Sequence, residues 1–482
     1  MGCLKTAFLN SPLLKDIIST LKSYAYFVRY NYILLKRKGL IKMKVSENKI
    51  YDPEIECMDR DSIKKIQDKR LIETVAHTYN NVPLYKKRMD EAGVKPEDIK
   101  GTEDLHLLPF TNKTDLRDEF PFGLLAVPQE EIVRIQGSSG TTGKPIVSGY
   151  TQNDVDVWTQ MVARSLTAAG AGRDDKIQVT YGYGLFTGGL GAHQGASEVG
   201  AMVIPMSSGN TQRQLMMMHD LGATMLCCTP SYAIFLGESL KEMGYDLKEF
   251  KLKSGCFGAE PWTEEMREKL EGLFDINAYN IYGLTEIGGP GVAFECCAKN
   301  GMHINEDHVI AEIVDPKTGE VLPYGESGEL VFTTITKTGM PMIRYRTHDI
   351  CTLDATPCSC GRTHVRMSRI TGRTDDMLII RGVNVFPSQI EEVLLKIPGV
   401  APHYMLVVDR VNSTDRLEVQ VELTNDMFSD TVSDIEKIQR NITEQIKSVT
   451  GVSAMVKLVP PKSIPRSEGK AKRIIDNRGL TK

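Results

Sequence analysis

Between about residues 130 and 335 short apolar runs alternate with helical text, and no other feature constrains the fold as much. Lys176–Thr180 reads KIQVT, Ala201–Pro205 reads AMVIP and Thr224–Cys228 reads TMLCC. Residues 211–221 and 263–273, between and after them, carry apolar residues at helical spacing. Strands that are apolar on both faces must be covered by helices on both faces. The rhythm therefore predicts βα units and an α/β fold built on a largely parallel sheet.

The style changes after about residue 375. Strand-like segments at 404–409, 417–423 and 452–459 flank a helix with Val432, Ile435, Ile438, Ile442, Ile446 and Val449 on one face. This predicts a small α+β domain. At the other end, Ile63, Ile66, Leu71, Ile72 and Val75 mark a helix from Ser62. A chain of 482 residues is too long for one core. The expected division is a basic extension over 1–47, a large domain over 48–374 and a small mobile domain over 375–482.

Residues 1–44 hold nine Lys or Arg against one acid, Asp16. Their aromatic stretch Tyr24–Leu35 fits a helix lying on a membrane surface, or an appendage upstream of a start at Met43. The opening MGCLKT also fits a weak myristoylation pattern. No apolar run reaches the roughly 18 residues of a membrane span. The formal net charge of −4 gives no reason to expect nucleic acid. Among the ten cysteines, the adjacent pairs Cys227-Cys228 and Cys296-Cys297 make a poor disulfide framework. A reducing cytoplasm is expected, with metal binding open to some of the thiols.

The stretch IQGSSGTTGKP (135–145) is a loop with an anion's chemistry. Glycines let backbone N–H groups turn inward, hydroxyls add donors, and Lys144 adds charge. It is not a nucleotide P-loop, because Ser138 stands where the first glycine belongs and Pro145 replaces the magnesium-binding Ser/Thr. Alone it could equally be a linker. It is followed in order by Tyr282-Gly283-Leu284-Thr285-Glu286, by Arg344–Asp349 (RYRTHD), by Gly372–Asp376 (GRTDD) running into Arg381–Pro387 (RGVNVFP), and by Pro465–Lys470 (PRSEGK).

In that order and spacing these segments resemble the adenylate-forming superfamily of acyl-CoA synthetases, luciferases and peptide-synthetase adenylation domains. The closer resemblance is to the phenylacetate-CoA ligase and aryl-CoA ligase branch. It rests on Tyr51–Arg60, YGYGLFTGGLGAH at 181–193, GAEPW at 258–262, YGLTEIGGPGVAFEC at 282–296 and RGVNVFPSQIE at 381–391. It covers about nine-tenths of the chain, residues 48–482.

The resemblance implies ATP-dependent, AMP-forming activation of an arylacetic acid, through an acyl-adenylate, to its coenzyme A thioester. Ser138, Ser139, Gly140, Thr141, Thr142, Gly143 and Lys144 would wrap the phosphates. Thr285 would touch the α-phosphate and Glu286 would hold Mg²⁺. Gly258, Ala259, Glu260 and Pro261 would line the adenine, with Tyr282 and Gly283 nearby. Asp349 would accept the ribose hydroxyls, with Arg373 close to ribose and α-phosphate. Lys470 would bridge carboxylate and α-phosphate during adenylation, and Asp375 would be the hinge on which the small domain turns. Tyr181, Phe186, Ala259, Ile281 and Pro290 match aryl-pocket positions, although each could simply pack the core.

Cys296, His303, Cys358 and Cys360 form a set that suits structural zinc, with Cys297 as a substitute for Cys296; some relatives carry a similar set. A homodimer is expected by the same resemblance. Two alternatives change the second half of the reaction. One is adenylyl transfer to a cofactor hydroxyl of the deazaflavin type; the other is loading of a carrier protein in trans, since no carrier domain follows Lys482.

Overall fold

The computed structural model describes residues 48–138, 146–374, 377–381, 383–411, 414–424, 432–466 and 473–478. The membrane-surface reading of residues 1–44, Ser139 to Lys144 of the anion loop, the hinge Asp375 and Lys470 lie outside the described residues.

Helix α1 (Arg60–Asn81) starts on Asp59, whose carboxylate accepts from Ser62 N. A two-stranded hairpin, β1 (Arg134–Gly137) and β2 (Val147–Tyr150), brackets the anion loop. Ser138 N donates to Ile146 O over 2.9 Å, which closes the loop's neck. Helix α2 (Gln152–Ala168) follows, opened by a capping box between Thr151 and Asp154.

The apolar runs become strands of one large sheet. They are β3 (Lys176–Val179), β4 (Met202–Pro205), β5 (Met225–Cys228), β6 (Ser254–Gly258), β7 (Asn277–Leu284), β8 (Gly289–Glu295) and β9 (Met302–Ile304). The crossovers between them include α3 (Thr187–Glu198), α4 (Thr211–Asp220), α5 (Pro230–Glu242) and α6 (Glu264–Phe274). All four residues of β5 are buried, as a strand covered on both faces requires.

A second sheet is antiparallel, from β10 (Val309–Val314), β11 (Gly328–Thr334) and β12 (Tyr345–Cys351) to a short edge strand. Short strands β13 (Leu353–Asp354) and β14 (Arg366–Met367) return to the large sheet, and β15 (Gly372–Arg373) is the edge of the second. The large sheet then runs β13-β14-β9-β8-β7-β6-β5-β3-β4, parallel from β4 to β7 and antiparallel beyond.

After a small hairpin, β16 (Leu378–Ile380) and β17 (Val383–Val385), come helix α7 (Pro387–Leu395), strands β18 (Val400–Val411) and β19 (Thr414–Leu423), helix α8 (Val432–Thr450), β20 (Met455–Val459) and β21 (Ile474–Asp476). Their sheet, β20-β19-β18-β21, has its own core, in which Ile442 and Ile446 of α8 are fully buried. Val449, expected on the same face, is half exposed in the helix's last turn.

Candidate active site

The expected site residues gather where the parallel strands end, the edge at which open α/β sheets bind ligands. Tyr181 lies just past β3, Gly258 closes β6, Ile281 and Tyr282 lie in the second half of β7, and Pro290 is the second residue of β8. Thr285 and Glu286 occupy the turn between β7 and β8, both buried. Gly283 has a steric reason: a Cβ there would sit 1.8 Å from Gly289 O, so the tight β7–β8 turn admits no side chain. The same holds at Gly258, where a Cβ would meet Ile281 O at 2.2 Å.

Strand β12 supplies the opposite wall through its pleat. Tyr345, Thr347, Asp349 and Cys351 are buried on one face, while Arg346, His348 and Ile350 alternate onto the other. On the buried face Tyr345 Oη donates to Glu286 Oε1 over 3.1 Å, and Tyr282 Oη donates to Asp349 Oδ2 over 2.6 Å. Arg373 of β15 pairs with Asp349 across the strands and donates to its Oδ1 over 2.6 Å. Burial, and then the Asp349 charge, push the Tyr282 phenol well above its ordinary range, so it acts as a donor. Tyr282 therefore touches the expected ribose acceptor directly.

Beneath the Thr285-Glu286 turn lie three groups that the sequence did not single out. Tyr150 Oη donates to Thr285 O over 2.5 Å. Lys337 Nζ donates to Glu286 O and to Ser148 Oγ, each over 2.7 Å, and lies 4.6 Å from the centre of the Tyr150 ring. Burial lowers the Lys337 amine to about 8, opposed by the charges of Asp154 and Glu286.

Near this region the buried atoms Gln136 Oε1, Ser138 Oγ and Ser231 Oγ find no hydrogen-bond partner among the described residues. Such atoms are uncommon in native interiors.

The remaining expected residues are mixed in setting. Ile281 and Tyr181 are buried, Ala259 and Pro261 are exposed, and Phe186, the residue before α3, is 48% exposed. Ala259 holds φ +71° in the bend after β6, and Glu260 turns back to accept from Ser231 N over 2.7 Å. The glycines between 182 and 191 make room partly for the protein's own rings. A Cβ at Gly191 would meet Trp158 at 2.7 Å and Pro290 at 2.8 Å, and one at Gly188 would meet Tyr181 at 3.3 Å.

A second cluster lies apart from the strand-end site. The ligand atoms of Cys296, His303, Cys358 and Cys360 all fall within 4.8 Å of one another. Cys296 Sγ and Cys358 Sγ are 3.7 Å apart, and Cys360 Sγ and His303 Nε2 are 3.4 Å apart. Zn–S bonds of about 2.3 Å in a tetrahedron put sulfurs about 3.7 Å apart, so the donor set fits zinc. His303 Nδ1 lies 3.3 Å from His364 O, which suits a ring that ligates through Nε2. Hydrogen bonds from Cys296 and then from His303 hold the Cys360 thiol well below its ordinary range. Cys297 instead contacts Asn48.

Comparison with known proteins accords with this geometry. Residues 58–338 match the family described as AMP-binding enzyme, and residues 382–478 match AMP-binding enzyme C-terminal domain. The chain is 49% identical to a phenylacetate-coenzyme A ligase of Thermus thermophilus, over 89% of this chain and 100% of that protein. It is 50% identical to one of Escherichia coli, over 89% of this chain and 98% of that protein. A crystal structure of 2-hydroxyisobutyryl-CoA ligase in its postadenylation state superposes with a TM-score of 0.84 at 28% identity, covering 91% of this chain and 94% of that one. The same enzyme in its thioesterification state gives 0.67 at the same coverage, so the arrangement seen here is nearer the former. The chain belongs to the phenylacetate-coenzyme A ligase family of AMP-binding enzymes.

Proposed function

We propose that this chain joins phenylacetate, or a ring-substituted relative, to coenzyme A in two half-reactions. In the first, a carboxylate oxygen attacks the α-phosphorus of ATP and pyrophosphate leaves. In the second, the coenzyme A sulfur attacks the acyl carbon and AMP leaves. One observation carries the reading: the chain is 48–50% identical to four phenylacetate-coenzyme A ligases and spans 96–100% of each. These relatives do not favour adenylyl transfer to a cofactor hydroxyl or the loading of a carrier protein.

Both reacting partners of the first step are anions, so the site must supply positive charge and aimed dipoles. In this reading Asp349, oriented by Tyr282 and Arg373, accepts the ribose hydroxyls. Arg373 then lies beside the α-phosphate. Thr285, whose carbonyl is anchored by Tyr150, presents its hydroxyl to the same phosphate. Ser138, whose buried hydroxyl has no partner among the described residues, begins the loop that would hold the β- and γ-phosphates. Glu286, buried and oriented by Tyr345, would hold Mg²⁺, a hard cation that takes carboxylate and phosphate oxygens and screens the triphosphate charge. Lys470 would neutralise the charge developing between carboxylate and α-phosphate. Asp375 would be the hinge by which that lysine leaves before the thiol enters. Tyr181, Ile281 and Pro290 offer the apolar wall for the aryl ring, with Phe186 at its rim.

The Cys3His cluster would hold zinc structurally, because four protein ligands leave no position for substrate. It would tie the end of β8 and strand β9 to the loop before β14. None of the nine described cysteines is in a disulfide; the proposed setting is a reducing cytoplasm. No described helix is long and apolar enough to cross a membrane. Assembly as a homodimer completes the proposal and is checked by light scattering. The reading itself is tested by pyrophosphate exchange into ATP. Exchange should depend on phenylacetate and Mg²⁺; exchange indifferent to any aryl acid would refute it.

A further inference from the structure

The loop between β11 and β12 carries a buried lysine that bridges β2 and the Thr285-Glu286 turn, two walls of the proposed site. Lys337 Nζ donates over 2.7 Å to Ser148 Oγ, on the strand that leaves the anion loop. It also donates over 2.7 Å to Glu286 O, on the turn that carries Thr285 and Glu286. Its remaining direction faces the Tyr150 ring at 4.6 Å, and that residue's hydroxyl holds Thr285 O. An ammonium has three donors, and the two oxygens and one aromatic face account for them.

The lysine is itself held in place. Asp154 Oδ1 accepts from Thr338 N over 2.6 Å, and Asp154 Oδ2 accepts from Gly339 N over 2.9 Å. At Gly339 a Cβ would come within 2.8 Å of that carboxylate, so the loop lies flat against the start of α2. The cation thus sits among two buried carboxylates, Asp154 and Glu286, and offsets part of their charge where a polyanion must be received.

We infer that Lys337 is a positioning residue for the adenylation half-reaction, which fixes the separation between β2 and the Thr285-Glu286 turn. This rests on the proposed function, since it presumes that a nucleotide triphosphate binds between those walls. An apolar side chain of the same length would fill the space but leave Glu286 O and Ser148 Oγ buried without a donor. The turn would then shift. Displacements near an ångström at reacting groups can cost about 100-fold in rate. The second half-reaction no longer involves the β- and γ-phosphates and should feel the change far less.

The test compares wild type, Lys337→Met and Lys337→Arg in the two half-reactions separately. The first is followed by phenylacetate-dependent pyrophosphate exchange, and the second by thioester formation from synthetic phenylacetyl-adenylate and coenzyme A. The expected result for Lys337→Met is a loss of about 100-fold in the exchange kcat, with a raised half-saturating Mg·ATP. Thioester formation should stay within about threefold of wild type. Lys337→Arg, which keeps charge and donors, should recover at least about tenfold of the lost exchange. Equal losses in both half-reactions, or no recovery with Arg, would overturn the inference. If Lys337→Met does not yield folded protein, Ser148→Ala removes one anchor of the amine. A loss confined to exchange then supports the assignment, while an equal loss in both steps, or no loss, refutes it. Failure of the wild type to catalyse exchange would instead refute the proposed function.

Discussion

Asp349 and Arg373 stand directly opposite each other on neighbouring strands, and the guanidinium donates to the carboxylate over 2.6 Å. The carboxylate's other oxygen takes the Tyr282 phenol, also over 2.6 Å. A carboxylate fixed at both oxygens is held in one orientation, as the proposed recognition of two ribose hydroxyls would require. Asp349→Asn keeps the shape, removes the charge and places a donor where an acceptor is needed. We expect KM for ATP to rise by about 30-fold, within the range for hydrogen bonds to charged groups. Steady-state kinetics at varied ATP checks this; an unchanged KM would place the ribose elsewhere.

Glu56 and Arg362 form an ion pair over 2.6 Å with both side chains at most 1% exposed. The pair joins the segment before α1 to the loop that carries Cys358 and Cys360. Breaking a buried pair leaves one uncompensated charge, so Glu56→Gln should cost about 3–5 kcal/mol of stability. Urea unfolding measures it, and a loss below about 1 kcal/mol would mean that water reaches the guanidinium.

For the Cys3His cluster, elemental analysis of purified protein should give close to one zinc per chain. Cys358→Ser should lose most of that metal and lower Tm, while pyrophosphate exchange by the molecules still folded continues. Metal-free protein with an unchanged Tm would leave the cluster as four reduced, packed side chains.

Lys470 is assigned by motif. The expectation is that Lys470→Ala loses roughly 100-fold or more of adenylation, the scale of one transition-state electrostatic contact. Thioester formation from supplied phenylacetyl-adenylate should continue nearly unchanged. Equal losses in both steps would remove the role given to that lysine.

The sequence made the parallel sheet legible because β3, β4 and β5 are short, apolar and separated by helical text. They emerged within a residue of their expected bounds. Ile442 and Ile446 announced the core face of α8 by spacing alone, whereas Val449, at the same spacing, is half exposed in the final turn. Motif order brought Thr285, Glu286, Asp349 and Arg373 to notice, and the structure brings them together. Lys337 was silent, because its significance lies in two contacts 189 and 51 residues away along the chain. Tyr345 was part of a quoted motif, yet only the two-residue pleat of β12 shows that it shares a face with Asp349. The glycines at 188 and 191 lie against Tyr181 and Trp158, neighbours that no sequence displays.

The most direct measurement quantifies AMP and acyl-CoA together for purified protein given ATP, Mg²⁺ and coenzyme A with a panel of arylacetates, benzoates and fatty acids. The account predicts one AMP per acyl-CoA, with phenylacetate or a ring-substituted relative turned over fastest. AMP formed without thioester, or no turnover with any arylacetate, would contradict it.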